Sequence, residues 1–262
     1  MVIATVKPSL QIQALTVAMG KKIICHDLCI DFQPGEIWGI LGPNGSGKTT
    51  LLHALAGLHK AQGKILLDRK PLKQWPIKLM AQRLGILFQE VNFTFPQTVW
   101  EYCCASRYPH LAYLKKLSPH DEHIIRQALQ QMALIPYKDR LVTQLSGGEK
   151  RRLSIAALLA QKPSIYLLDE PTNHLDIQHQ QRVIKHFQHL AEKFAATMLI
   201  SLHDINLAQQ CCEKVILLFP DGDCQYGTTQ TMLTSPNLLR LYQCALSAVQ
   251  HADQRYWVAS VG

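Results

Sequence analysis

Gly42-Pro43-Asn44-Gly45-Ser46-Gly47-Lys48-Thr49 is the stretch that decides the fold. It follows a short apolar run, Glu36–Leu41, that reads as a buried strand, and it opens a segment with Leu51, Leu52, Leu55 and Leu58 at helical spacing and Gly57 near the expected helix end. Strand, glycine-rich loop and helix in that order match G-x-x-x-x-G-K-[ST] in the context that gives the pattern its meaning. Glycines let successive backbone N–H groups turn inward around phosphate oxygens, and the start of the helix behind them favours an anion. Residues Gly42, Pro43, Asn44, Gly45, Ser46, Gly47, Lys48, Thr49 and Thr50 are therefore expected to bind the phosphates of a nucleoside triphosphate. Lys48 would hold the β- and γ-phosphates, and the Thr49 hydroxyl would ligate Mg²⁺. The competing reading, a glycine turn with no ligand, is disfavoured by the complete eight-residue match.

Outward from the loop, strands are expected near Leu15–Val17, Ile24–Phe32, Ile65–Leu67 and Leu84–Phe88, with a Gln33-Pro34-Gly35 turn before the Glu36 strand. From Glu90 to about Gln161 the pattern is mostly helical. Ser118, Pro119 and Asp121 fit a helix start, and Ile124, Ile125, Ala128, Leu129 and Met132 form one apolar face. Strands return at Ser164–Leu168, Thr197–Ser201 and Val215–Phe219, separated by helical patterns at Ile177–Phe194 and Ile205–Cys212, and Asp221-Gly222 reads as a hairpin turn. Such alternation argues for an α/β fold with a mainly parallel sheet. The expected organisation is a P-loop core (1–89 and 162–227) carrying an N-terminal antiparallel β part, an inserted helical subdomain (90–161) and a C-terminal extension (228–262).

Composition agrees with a globular chain: of 262 residues, 47% are apolar and 18% charged, without repeats or low-complexity segments. The longest apolar stretches, such as Ile37–Leu41 and Val215–Phe219, are far shorter than the roughly 20 residues a spanning helix needs. No secretory signal is read at the N-terminus, so a cytosolic location is expected. Cys25, Cys29, Cys103, Cys104, Cys211, Cys212, Cys224 and Cys244 show neither a C-x-x-C pair nor zinc-ligand spacing, and are expected to be reduced core thiols. Basic residues exceed acidic ones by 27 to 19, but they are scattered, and groups such as Lys115-Lys116 and Lys150-Arg151-Arg152 read as solvated surface.

A phosphate loop with Mg²⁺ calls for a carboxylate at the end of a second strand. Ile165-Tyr166-Leu167-Leu168-Asp169-Glu170 supplies two. Asp169 would complete the metal environment and Glu170 would polarise a water, their roles separated because neighbours on a strand point to opposite faces.

With Leu145-Ser146-Gly147-Gly148-Glu149 added, the chain resembles the nucleotide-binding subunit of ATP-binding cassette (ABC) transporters. Alone, that pentapeptide is a Ser-Gly turn capping a helix. In the family it faces the γ-phosphate held by a second subunit, so Ser146, Gly147, Gly148 and Glu149 are expected to contact nucleotide across a dimer. Gln89 matches the family's Q-loop glutamine, which senses metal and water. Asp176 in Asn173-His174-Leu175-Asp176 matches its D-loop, and His203 in Ser201-Leu202-His203-Asp204 its switch histidine. Any one of these residues alone would be read as surface; the motifs in family order, over about residues 12–235, reverse that. The resemblance implies ATP hydrolysis with Glu170, His203 and Gln89 as catalytic residues, Thr49, Gln89 and Asp169 on Mg²⁺, and a head-to-tail dimer that ATP closes. Met19 stands where the family usually stacks an aromatic residue on adenine, which implies weaker discrimination between ATP and GTP.

The stretch Thr98-Val99-Trp100-Glu101 with Arg107-Tyr108-Pro109-His110 is similar to importers of iron chelates, haem and vitamin B12, although Ser106 stands where those usually have Gly. The implied partners are membrane-spanning permease subunits contacting Glu90–His110 and, indirectly, a substrate-binding protein, with the chain peripheral on the inner face of the membrane. Nucleic acid is not an expected partner. Two other readings remain open on sequence: a soluble cassette ATPase acting on ribosomes, and a nucleotide-binding protein without hydrolysis.

Overall fold

The computed structural model describes residues 9–90, 95–112, 115–251 and 254–259. The chain opens with the antiparallel strands β1 (Leu10–Met19) and β2 (Lys22–Phe32), then β3 (Ile37–Leu41) and helix α1 (Lys48–Leu55). Next come β4 (Ala61–Leu67), β5 (Lys70–Pro71), a short helix α2 (Ile77–Arg83) and β6 (Leu84–Leu87). Three helices follow, α3 (Val99–Ala105), α4 (Pro119–Gln131) and α5 (Gly147–Gln161). Then β7 (Ile165–Asp169), α6 (Ile177–Phe194), β8 (Thr197–Ser201), α7 (Ile205–Cys211), β9 (Lys214–Leu218) and β10 (Cys224–Thr228) alternate. The chain closes with α8 (Thr229–Met232), α9 (Ser235–Tyr242) and a hairpin of β11 (Leu246–His251) and β12 (Gln254–Ala259).

Two sheets carry the fold: an antiparallel one in the order β2-β1-β4-β5, and a second in the order β10-β9-β3-β8-β7-β6, parallel except for the antiparallel edge strand β10. This is the α/β class expected, with the antiparallel β part at the N-terminus. Strands β3, β7 and β8 are buried at every residue, as a parallel sheet covered on both faces requires. Alternation divides their side chains: Ile165 and Leu167 join a core with α1 and the antiparallel sheet, while Tyr166 and Leu168 join one with α4, α5 and α6.

Most expected elements fall within a few residues of the observed ones. The strand expected at Leu15–Val17 runs over the whole of β1, with irregular register opposite β4; Gly63 sits there because a Cβ would lie 2.2 Å from Ala14 O. The helical stretch is broken by 3₁₀ turns, and Ser118 does cap α4 in a reciprocal arrangement with Asp121. Helix α2 escaped the sequence reading because none of its residues is buried, so no apolar period marks it. The cysteine expectation holds for Cys25, Cys103, Cys211 and Cys212 but not for Cys29 and Cys244, which are exposed; all eight are free thiols.

Candidate nucleotide site

Parallel register brings the pieces together. Ser201 on β8 lies beside Ile40 on β3 and beside Asp169 on β7, so three distant stretches of sequence end at one edge of the sheet. At that edge the chain leaves β3 through Gly42, where a Cβ would sit 2.5 Å from Ser46 Oγ and 2.8 Å from Leu218 O. It enters α1 through Gly47, whose φ of +105° and 2.5 Å approach to the Ile24 side chain both require glycine. Lys48 is buried, and its Nζ donates to the carbonyls of Gly42 at 2.9 Å and Pro43 at 3.2 Å. Burial lowers its pKa, while Glu170 and Asp169 act to raise it. Ser46 Oγ is buried without a partner among the described residues. Thr49 and Thr50 are half-buried at the first turn of α1, and the Thr50 hydroxyl lies 3.9 Å from the Met19 sulfur. Met19 is itself exposed and sits across the β1–β2 hairpin from Lys22, whose Nζ donates to Gly45 O at 2.7 Å.

Asp169 is fully buried. Its Oδ1 accepts from Ser201 Oγ at 2.5 Å, and its Oδ2 has no partner among the described residues. An orphaned carboxylate oxygen in a site that also offers a threonine hydroxyl is an all-oxygen donor set, which suits a hard divalent cation such as Mg²⁺. Glu170 departs from the expected strand alternation: β7 ends at Asp169, and Glu170 turns with φ +48°, in the left-handed region. Its direction is thus set by a turn, held by its N–H donating to Ser201 Oγ at 2.9 Å. The carboxylate is gathered by three side chains: Gln89 Nε2 donates to Oε2 at 3.2 Å, Asn173 Nδ2 bonds the same oxygen, and His203 Nε2 bonds Oε1. A cavity of about 130 Å³ opens there, lined by Glu170, Thr172, Asn173, Gln180 and His203.

The signature stretch is differently placed. Ser146 caps α5: its Oγ accepts from Glu149 N–H at 3.3 Å, and Glu149 Oε2 accepts from Ser146 N–H at 2.8 Å. The Ser146 backbone N–H holds the Glu149 carboxyl below its usual range. A Cβ added at Gly147 would meet nothing within 4 Å, and one added at Gly148 would meet only His174 O, at 3.1 Å. Asp176 caps α6 by accepting from His179 N–H at 2.8 Å and is exposed. Among the described residues, no hydrogen bond or ion pair joins Ser146, Gly147, Gly148, Glu149 or Asp176 to residues 42–50 of the same chain. One set of expected nucleotide contacts is therefore assembled, and the other lies apart.

Sequence reasoning missed three contributors. Ser201 braces both acids, and Asn173 holds Glu170. Arg151, read as solvated, is buried and donates to main-chain carbonyls around the two acids. Its helical spacing with Ile155 and Leu158, both buried, was the available signal. Arg152 is also engaged, donating to Met132 O at 2.7 Å. In the Glu90–His110 stretch, Arg107 is buried against Asp121 at 2.9 Å and Ala160 O at 2.8 Å, while Phe95 and Tyr108 are exposed; residues 91–94, including Phe93, lie outside the described residues.

The family described as ABC transporter matches residues 25–173. The hemin import ATP-binding protein HmuV of Plesiomonas shigelloides is 33% identical over 257 residues, spanning 91% of this chain and 96% of that protein. The petrobactin import ATP-binding protein FpuC of Bacillus anthracis is 34% identical over 242 residues, 92% of this chain and 89% of that protein. Among solved structures, a metal-chelate-type ABC transporter in an inward-facing conformation matches with a TM-score of 0.82 at 28% identity, covering 97% of this chain and 98% of that one. Geometry, motif order and near full-length similarity agree: the chain belongs to the ABC transporter family.

Proposed function

We propose that this chain is the ATP-hydrolysing subunit of an importer for an iron chelate, a siderophore or haem, working against membrane-spanning permease subunits. The observation that carries the reading is the pair of acids behind the phosphate loop: Asp169 with a buried unpartnered oxygen, and Glu170 gathered by Gln89, Asn173 and His203. The relatives' names support the substrate class. They do not support the alternative of a cassette acting on ribosomes.

In this reading Gly42–Thr50 hold the triphosphate, Lys48 leaves its loop carbonyls for the β- and γ-phosphates, and Met19 packs against the base. Mg²⁺, held by Thr49, Gln89 and Asp169, would offset charge on the β- and γ-oxygens. Glu170 takes a proton from the attacking water as its oxygen bonds the γ-phosphorus and the bond to the bridging oxygen breaks, leaving ADP and phosphate; positioning and charge do most of the work. His203 contacts the γ-phosphate. Ser146, Gly147, Gly148, Glu149 and Asp176 serve the nucleotide of a second copy in a head-to-tail dimer, which two-fold symmetry permits because each copy offers both faces. The division into a core (1–89 and 162–227), helical subdomain (90–161) and C-terminal extension (228–262) accompanies this reading. So do a permease contact along Glu90–His110 and a place on the cytoplasmic face of the membrane. Among the described residues no helix is long and apolar enough to cross a membrane.

The test is Glu170→Gln in the full chain. Turnover is expected to fall by about 10³-fold, in the range for a lost general base, with ATP still bound and a dimer accumulating at saturating ATP and Mg²⁺. Undiminished turnover would overturn the role of Glu170, and a protein that stays monomeric would overturn the composite site.

A further inference from the structure

Arg151 lies just inside the signature helix, two residues beyond Glu149, yet its guanidinium reaches out of that helix into the chain behind both acids. Nη1 donates to Phe88 O at 2.5 Å and Gln89 O at 3.2 Å; Nη2 bonds Asp169 O, and donates to Glu170 O at 2.6 Å; Nε donates to Pro171 O at 3.4 Å. A planar fork with five N–H donors is the side chain that can serve two strand ends at once. Burial lowers its pKa to about 10, so it stays charged at neutral pH.

The placement is specific. Gln89 and Glu170 already meet through their side chains at 3.2 Å. Arg151 binds the main-chain carbonyls of those same two residues, so the contact is fastened from behind. Glu170 is also in the left-handed region, a conformation that disfavours a side chain with a Cβ and persists only where surrounding structure imposes it. Two of the imposing contacts are the Arg151 bonds to the peptide groups on either side of that φ. We propose that Arg151 is a positioning residue for hydrolysis, tying the start of the signature helix to the Gln89 loop and the Glu170 turn of the same chain. Movement of that helix then shifts the carboxylate, so the end of the chain that faces a partner's nucleotide sets the geometry around its own. This rests on the reading of Glu170 as the hydrolytic carboxylate.

The experiment compares steady-state ATP hydrolysis and ATP binding by the full-length wild type, Glu170→Gln, Arg151→Met and Arg151→Lys, each well below its melting midpoint. Arg151→Met is expected to lower kcat at least about tenfold, because sub-ångström to ångström displacements of a positioned group have effects up to about 10²-fold. KM and ATP affinity should stay within about twofold, since the phosphate loop is untouched. Arg151→Lys, charged but unable to span both strand ends, should recover part of kcat. If Glu170→Gln abolishes turnover while folded Arg151→Met keeps wild-type kcat, this inference fails and the hydrolytic reading stands. If kcat and affinity fall together in step with the folded fraction, Arg151 is merely structural and the inference also fails. Should the Met variant not fold, Arg151→Lys decides: a kcat equal to wild type overturns the proposal. Turnover that survives Glu170→Gln removes the premise itself.

Discussion

The phosphate-loop end and the signature end of this chain satisfy their polar groups in opposite ways. At the first, Ser46 Oγ and Asp169 Oδ2 are buried without partners among the described residues, and a buried lysine rests on carbonyls of its own loop. At the second, exposed Ser146 and half-buried Glu149 answer each other, and exposed Asp176 is taken up by half-buried His179. Unanswered buried groups are costly and call for a ligand, whereas answered, exposed ones leave a surface open to another molecule. In the proposed reading the first end serves a small ligand and the second a neighbouring copy.

Substitutions can break or sharpen that contrast. The largest effect is expected from Lys48→Met, which should weaken ATP binding by about 100-fold, the loss of charge-assisted bonds worth about 3 kcal/mol. Melting of the nucleotide-free protein should shift little, because a desolvated cation is replaced by an apolar chain; titration calorimetry beside thermal melts reads both. A collapse of stability would show that the lysine holds the loop together. Next, the two glycines at helix starts should diverge. Gly47→Ala should destabilise by about 2 kcal/mol, given its positive φ and the Ile24 side chain in the way. Gly147→Ala meets nothing within 4 Å and should raise stability by about 0.5–1 kcal/mol, while weakening ATP-dependent dimerisation seen by sedimentation. If Gly147→Ala left dimerisation intact, the contact role of the second end would fall. Ser146→Ala should cost about 1 kcal/mol of chemical-denaturation stability as a lost cap, with monomer ATP affinity unchanged.

The effect with the narrowest pH window concerns the helical segment behind the signature. Bonds from Ser118, together with Arg107, lower the Asp121 pKa from 3.8 to about 2. A carboxyl with a depressed folded pKa stabilises above its unfolded value, and that contribution fades as pH falls from about 4 to about 2. Asp121→Asn should therefore flatten the acid limb of a stability–pH curve over that window, and an unchanged limb would mean that Asp121 does not govern it.

The contrast also explains which parts are legible in the sequence. Phosphate binding needs glycines, a lysine and a hydroxyl within one local turn, so residues 42–50 announce themselves, as does the apolar strand ending in Asp169. Glu170 is found by its type, but its direction depends on a left-handed turn braced by Ser201, thirty-one residues away, and no local pattern encodes that. Arg151 is misread from sequence because charge in a basic triplet outweighs its helical spacing with Ile155 and Leu158. The closing hairpin leaves no signal either: Asn206 pairs its side-chain amide with both Trp257 N–H and Trp257 O, a strand-like contact across fifty-one residues.

The strand order bears on how the molecule can be made. β3, which delivers the phosphate loop, is flanked by β8 and β9, so both of its neighbours lie more than 150 residues further along the chain. During synthesis the loop emerges early, but its strand has no neighbour to pair with until about residue 201 has left the ribosome, and only one until about residue 218. Such non-local pairing is slow to form, so the glycine turn is complete in sequence long before the strands that flank it.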